Sequence, residues 1–190
     1  MSSTSFASYP ADSESRSYTP IAKILHWTTA ILVLGNLALG LNMEQFPGFK
    51  DGTPDWDARL FIHGSIGALI FWLTVVRFGW RSTHPAPAEP AYLGFWQKTA
   101  ARVVHASLYF LLLALPLTGY AHRIAGKHPV SFFGLFDWPV VIDGDEPLRV
   151  LSGSVHVALA LLLIALITVH FGAVIKHLVI DRDNILRRML

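Results

Sequence analysis

Cysteine is absent from the 190 residues. Disulfides, iron–sulfur clusters and thiolate-held haem are therefore excluded. Charge is scarce too: Asp, Glu, Lys and Arg make up 15% of the chain, against roughly 25% in an ordinary soluble domain. The pI is near 9.0, yet the formal net charge is only +2 and no long Lys/Arg run exists, so nucleic acid is not the expected partner. The opening stretch, "MSSTSFASYPADSESRSYTP", lacks the apolar core after a basic start that a secretory signal peptide needs. Residues 1–19 read instead as a disordered polar tail preceding one domain, residues 20–190.

What the chain has in abundance is apolar sequence: 53% hydrophobic residues and a mean hydropathy of +0.45. Four stretches are long enough to cross a hydrocarbon core of about 30 Å as helices: Ile21–Leu41, Leu60–Trp80, Ala101–Ala121 and Val150–Val179. The fold class expected is all-α, an integral membrane four-helix bundle. Ten of the fifteen Lys and Arg residues fall on the side of Arg16, Lys23, Arg77, Arg81 and Arg188. The positive-inside rule then puts both termini of this multi-pass chain in the cytoplasm. Pro116 is expected to kink the third span. Trp27, Trp80 and Trp96 read as interfacial anchors in contact with lipid.

The nine histidines sort by depth. His84, His122 and His128 fall in loops. His26 and His105 lie at similar depth on the cytoplasmic side of spans 1 and 3, while His63 and His156 lie near the outer side of spans 2 and 4. His170 is 14 residues beyond His156, which on a helix means about 21 Å along the axis and a return to nearly the same face. Depth pairs His63 with His156 and His26 with His170, although His105 shares the inner depth and leaves that second pairing open. His177 is nearly in phase with His170 but sits close to the aqueous boundary.

One intramembrane histidine is explained as readily by a hydrogen bond to a backbone carbonyl. Two facing pairs inside a bundle suit a flat ligand gripped by two imidazoles, as in bis-histidine haem b, whose six-coordinate iron has the job of electron transfer. Arg77, 14 residues after His63, returns to the ligand stripe, where it pairs with an inner haem propionate or anchors to lipid headgroups. Gly64 and Gly67 beside His63 leave room for a ring, or serve helix packing. The segment from His122 to Arg149 is long for a bundle connection. Its "VSFFGLFDWPVV" suits a segment on the membrane surface that caps the outer site, with His122, Arg123, Lys127 and His128 either drawing in an anion or forming a solvated basic loop.

Taken together, "ILHW", "FIHGSIGALIFWLTVVRFGWRSTHPAP", "VVHASLYFLLLALPLTGY" and "GSVHVALALLLIALITVHFGAVIKHLVIDRDNILRRML" resemble the bacterial cytochrome b561 family over nearly the whole chain from about Pro20. The resemblance implies a di-haem membrane cytochrome exchanging electrons with the quinone pool, with ligand pairs His26–His170 and His63–His156. For one branch it implies oxidation of superoxide at the outer face and electron delivery to ubiquinone. It leaves His105 for a propionate hydrogen bond, a quinone proton or a structural bond. Two other classes compete: a haem-bearing anchor subunit for a separate dehydrogenase as redox partner protein, and a haem-free proton-coupled transporter. A homodimer is the remaining partner candidate.

Overall fold

The computed structural model describes residues 17–45, 54–183 and 185–190; residues 1–16 of the expected tail and the turn at 46–53 lie outside the described residues. Four helices span α1 (Pro20–Gln45), α2 (Pro54–Thr83), α3 (Phe95–Ala125) and α4 (Glu146–Lys176). All four are long and apolar enough to cross a membrane. Each extends past its apolar stretch because capping chemistry sits outside the hydrocarbon. Thr19 Oγ1 accepts the Ala22 N–H at the start of α1. Asp145 accepts the Leu148 N–H at the start of α4, with Pro147 in the first turn. One π-helical turn, His177–Asp181, continues α4.

The bundle is apolar outside as well as inside. Ile24, Ile31, Phe78, Phe110, Leu161 and Phe171 all face outward, as expected where the surroundings are acyl chains. The core layer at mid-depth is one residue set from each helix: Val33, Ile70, Leu111 with Leu115, and Leu163. Thr29 and Thr74 are buried, and each hydroxyl returns to its own helix by donating to the carbonyl four residues back, so neither hydroxyl is stranded. Closest packing joins α3 to α4, α1 to α2 and α2 to α3. The pairs α1/α4 and α2/α4 pack far less closely, and these are the pairs that carry facing histidines.

At one end of the bundle the two chain ends meet. The Tyr18 N–H donates to the Arg188 carbonyl, Trp27 Nε1 to the Met189 carbonyl and Lys23 Nζ to the Leu190 carbonyl. At the other end, the α3–α4 connection is not the unstructured loop that its length suggests. It folds into a hairpin, β1 (Val130–Phe132) antiparallel to β2 (Phe136–Trp138), with Ser131 opposite Asp137. The two termini lie at the inner end and the hairpin at the outer end, in the sense that the Lys/Arg count gives them.

Candidate functional site

The outer site is built by α2 and α4. The His63 and His156 rings face each other with centroids 6.1 Å apart and planes at 74°. Two metal–nitrogen bonds of about 2 Å, plus about 1 Å from each nitrogen to its ring centre, would hold axial imidazoles about 6 Å apart. The His63 Nδ1–H donates to the Asn36 carbonyl at 3.2 Å and the His156 Nδ1–H to the Leu115 carbonyl at 3.0 Å. A carbonyl only accepts, so both protons sit on Nδ1 and both Nε2 lone pairs are left for a metal. Each ring thus makes its structural hydrogen bond through Nδ1 and keeps Nε2 for another partner.

Around the pair is a cavity of ≈ 1220 Å³ whose lining includes Gly64, Gly67, Leu163 and Trp138. Two buried polar atoms on its wall, Asn36 Oδ1 and Trp138 Nε1, have no partner among the described residues. An indole N–H stranded there fits a ligand that brings its own acceptors, as a carboxylate-bearing macrocycle does. The hairpin closes this end. Fully buried Ser65 donates to the Ser131 carbonyl and accepts the Phe133 N–H, each at 3.0 Å. Trp138 stacks on Trp72, and the Tyr120 hydroxyl donates to the Pro139 carbonyl.

The inner site draws on α1, α3 and α4. The His26 and His170 centroids are 6.5 Å apart, again about the spacing that two axial ligands need, whereas His105 is only 5.3 Å from His170. The structure therefore brings both His26 and His105 to His170, each within about 1 Å of that spacing. Arg77 reaches this level from α2, with its Nη2 2.9 Å from His26 Nδ1 and its guanidinium over the Tyr109 ring. A guanidinium only donates, so His26 Nδ1 accepts and its proton is on Nε2, the opposite tautomer from the outer pair.

One expectation needs correction. His122 is not a loop residue: α3 runs on to Ala125, and its Nδ1 donates to the Arg149 carbonyl at 2.8 Å. Lys127 forms an exposed ion pair with Asp143. His177 turns to Asp183, 2.7 Å away, at the start of the π turn and so does not join His170. Gly64 and Gly67 pack against Val130 and the Asn36 amide. The glycines nearest the ligand rings are instead Gly40 and Gly119, which the spacing of histidines did not single out.

Comparison with known proteins follows the same lines. A family model described as prokaryotic cytochrome b561 matches residues 17–190. Cytochrome b561 homolog 2 of Escherichia coli strain K12 is 34% identical over 176 residues, covering 91% of this chain and 90% of that protein. Cytochrome b561 homolog 1 of the same organism is 31% identical over 170 residues, with 87% and 92% covered. Cytochrome b562 of Cereibacter sphaeroides is 26% identical over 174 residues, with 91% and 94% covered.

Proposed function

This chain belongs to the prokaryotic cytochrome b561 family, a membrane haem protein of transmembrane electron transfer, and from that premise we propose that it holds two b-type haems and conducts electrons between the faces of the bacterial inner membrane. His63 and His156 would hold the outer haem, His26 and His170 the inner one. The observation that carries this reading is the pair of facing imidazoles at two levels, 6.1 Å and 6.5 Å between centroids. When bound, the haems supply a one-electron couple at each level.

The chain's own residues do the rest. The Asn36 and Leu115 carbonyls hold the outer imidazoles in the tautomer that presents Nε2 and make them stronger donors. Val33, Ile70, Leu111 and Leu163 keep water out of the layer between the levels. Arg77 is the propionate partner of the inner haem, and its transfer from His26 Nδ1 to a carboxylate frees that ring to adopt the ligating tautomer. His105, packed edge-on to His170, is left to hydrogen-bond that haem's periphery or to pass a proton to quinone.

At the finer level, superoxide is the donor at the outer end: two superoxide ions each give up one electron and leave as dioxygen. Ubiquinone is the acceptor, taking those two electrons together with two protons from water and leaving as the quinol. Resemblance to one branch of the family supports both assignments.

The test is a reduced-minus-oxidised spectrum of the purified chain with a pyridine haemochrome count. Two low-spin b haems per chain are expected, and His63→Ala and His170→Ala should each remove one. A colourless preparation, or loss of neither haem, overturns the reading. Quinone reduction by the purified chain alone separates the carrier from an anchor that only relays electrons from a dehydrogenase.

A further inference from the structure

Three histidines dock on a neighbouring helix in the same way. His63 Nδ1 meets the carbonyl of Asn36, and four residues on is Gly40. His156 Nδ1 meets the carbonyl of Leu115, and four residues on is Gly119. His122 Nδ1 meets the carbonyl of Arg149, and four residues on is Gly153. In each case the glycine lies against the imidazole. A Cβ at residue 40 would stand 3.2 Å from His63 Cε1, and one at residue 119 would stand 3.2 Å from His156 Cε1 and 3.3 Å from its Nδ1. One at residue 153 would stand 2.8 Å from His122 Nδ1.

The repetition has a physical cause. In an α-helix the carbonyl of residue i points at residue i+4, and every Cα–Cβ bond leans back toward the N-terminus. A side chain at i+4 therefore covers the oxygen at i. Glycine uncovers it, so the carbonyl can accept a second hydrogen bond from the side. Inside a bilayer an imidazole N–H has no water to fall back on, which makes an uncovered carbonyl valuable.

We propose that Gly40 and Gly119 are positioning residues for the outer haem: each exposes the helix carbonyl that seats the Nδ1–H of His63 or His156. The proposal rests on the di-haem reading above. Gly153 performs the same docking for His122, which is not among the proposed ligands, and Gly35 on α1 has open space where a Cβ would stand. These two supply matched comparisons.

The test measures outer-haem retention, its midpoint potential and its ferric EPR spectrum in Gly40→Ala, Gly119→Ala, Gly153→Ala and Gly35→Ala. Gly40→Ala and Gly119→Ala should each weaken retention by about tenfold or more, the usual effect of disturbing a ligand's supporting hydrogen bond. They should also raise the outer potential, because a less basic imidazole stabilises ferric iron less. Gly35→Ala should leave all three readouts as in the parent, and Gly153→Ala, whose Cβ meets His122 on the wall of the same cavity, should disturb them less than Gly40→Ala or Gly119→Ala. Helix propensity favours alanine over glycine, so a mere propensity effect has the opposite sign.

Unchanged potential and spectrum in Gly40→Ala and Gly119→Ala overturn the proposal. So does an equal disturbance by Gly153→Ala, the most crowded of the three positions, since that is generic crowding. If Gly119→Ala does not accumulate, Thr118→Val gives a second measurement. The Thr118 hydroxyl donates to the Leu115 carbonyl and lies 3.1 Å from His156 Nδ1, so its removal changes the hydrogen bonding at that ring nitrogen. The outer potential should then shift, and an unchanged value overturns the role of this docking. A failure of the di-haem reading is recognised separately, because the parent chain itself then lacks a haem that His63→Ala removes.

Discussion

At the scale of single residues, the two histidine levels differ in what stands behind the rings. Both outer imidazoles lean on neutral carbonyls, whereas the inner level has the Arg77 guanidinium within reach of His26. A fixed positive charge opposes the extra charge of ferric iron. Arg77→Gln is therefore expected to lower the inner midpoint potential while the outer one stays put; a redox titration that finds the inner value unmoved contradicts the placement of Arg77. His105→Ala should keep both haems, since the proposed pairing gives the inner haem to His26 and His170, and a haemochrome count of one per chain would reverse the inner assignment. The ring planes, 74° apart outside and 65° inside, are far from parallel. Low-spin ferric spectra with unusually large g-anisotropy are expected at both levels, and ordinary rhombic signals would show that the rings rotate on binding. Here the sequence was legible as to which residue types lie at which depth. It was silent on Gly40 and Gly119, because a glycine in an apolar helix looks the same whether it faces a ligand ring, a neighbouring helix or lipid.

Among the secondary-structure elements, the hairpin is the part that sequence reading described least well. Its residues were recognised as an aromatic cap, yet three-residue strands are too short to carry a periodic pattern. What fixes the hairpin is a tertiary contact, the buried Ser65 hydroxyl bridging Ser131 and Phe133 across more than sixty residues. Ser65→Ala leaves a buried N–H and carbonyl without their partner, at a cost of about 1–3 kcal/mol. The variant should become sensitive to protease at residues 126–145 in outside-exposed vesicles and lose outer haem faster than the parent. Equal resistance would mean that the Trp138–Trp72 stack and the Tyr120–Pro139 bond suffice to hold the cap.

For the whole molecule, four helices bring the start of α1 and the C-terminus to one end, where Tyr18, Lys23 and Trp27 bind the last three residues. The positive-inside rule predicts from the Lys/Arg distribution that this end is cytoplasmic. A fluorescent protein fused after Leu190 should mature and fluoresce, and alkaline phosphatase fused at the same point should stay inactive. The reverse pair of results would invert the membrane orientation and with it the inner and outer labels of the two sites.

Hydropathy, the absence of cysteine and the 14-residue interval from His156 to His170 determined the membrane bundle and its two levels of imidazole. Those properties follow from local composition and helical periodicity, which any stretch of chain carries with it. Tertiary structure alone decided that both His26 and His105 come up against His170, at 6.5 Å and 5.3 Å between ring centroids. It alone decided which nitrogen of each ring is tied up, and which glycines clear the way. Such matters depend on how one helix is rotated against another, and no single helix records the rotation of its neighbour.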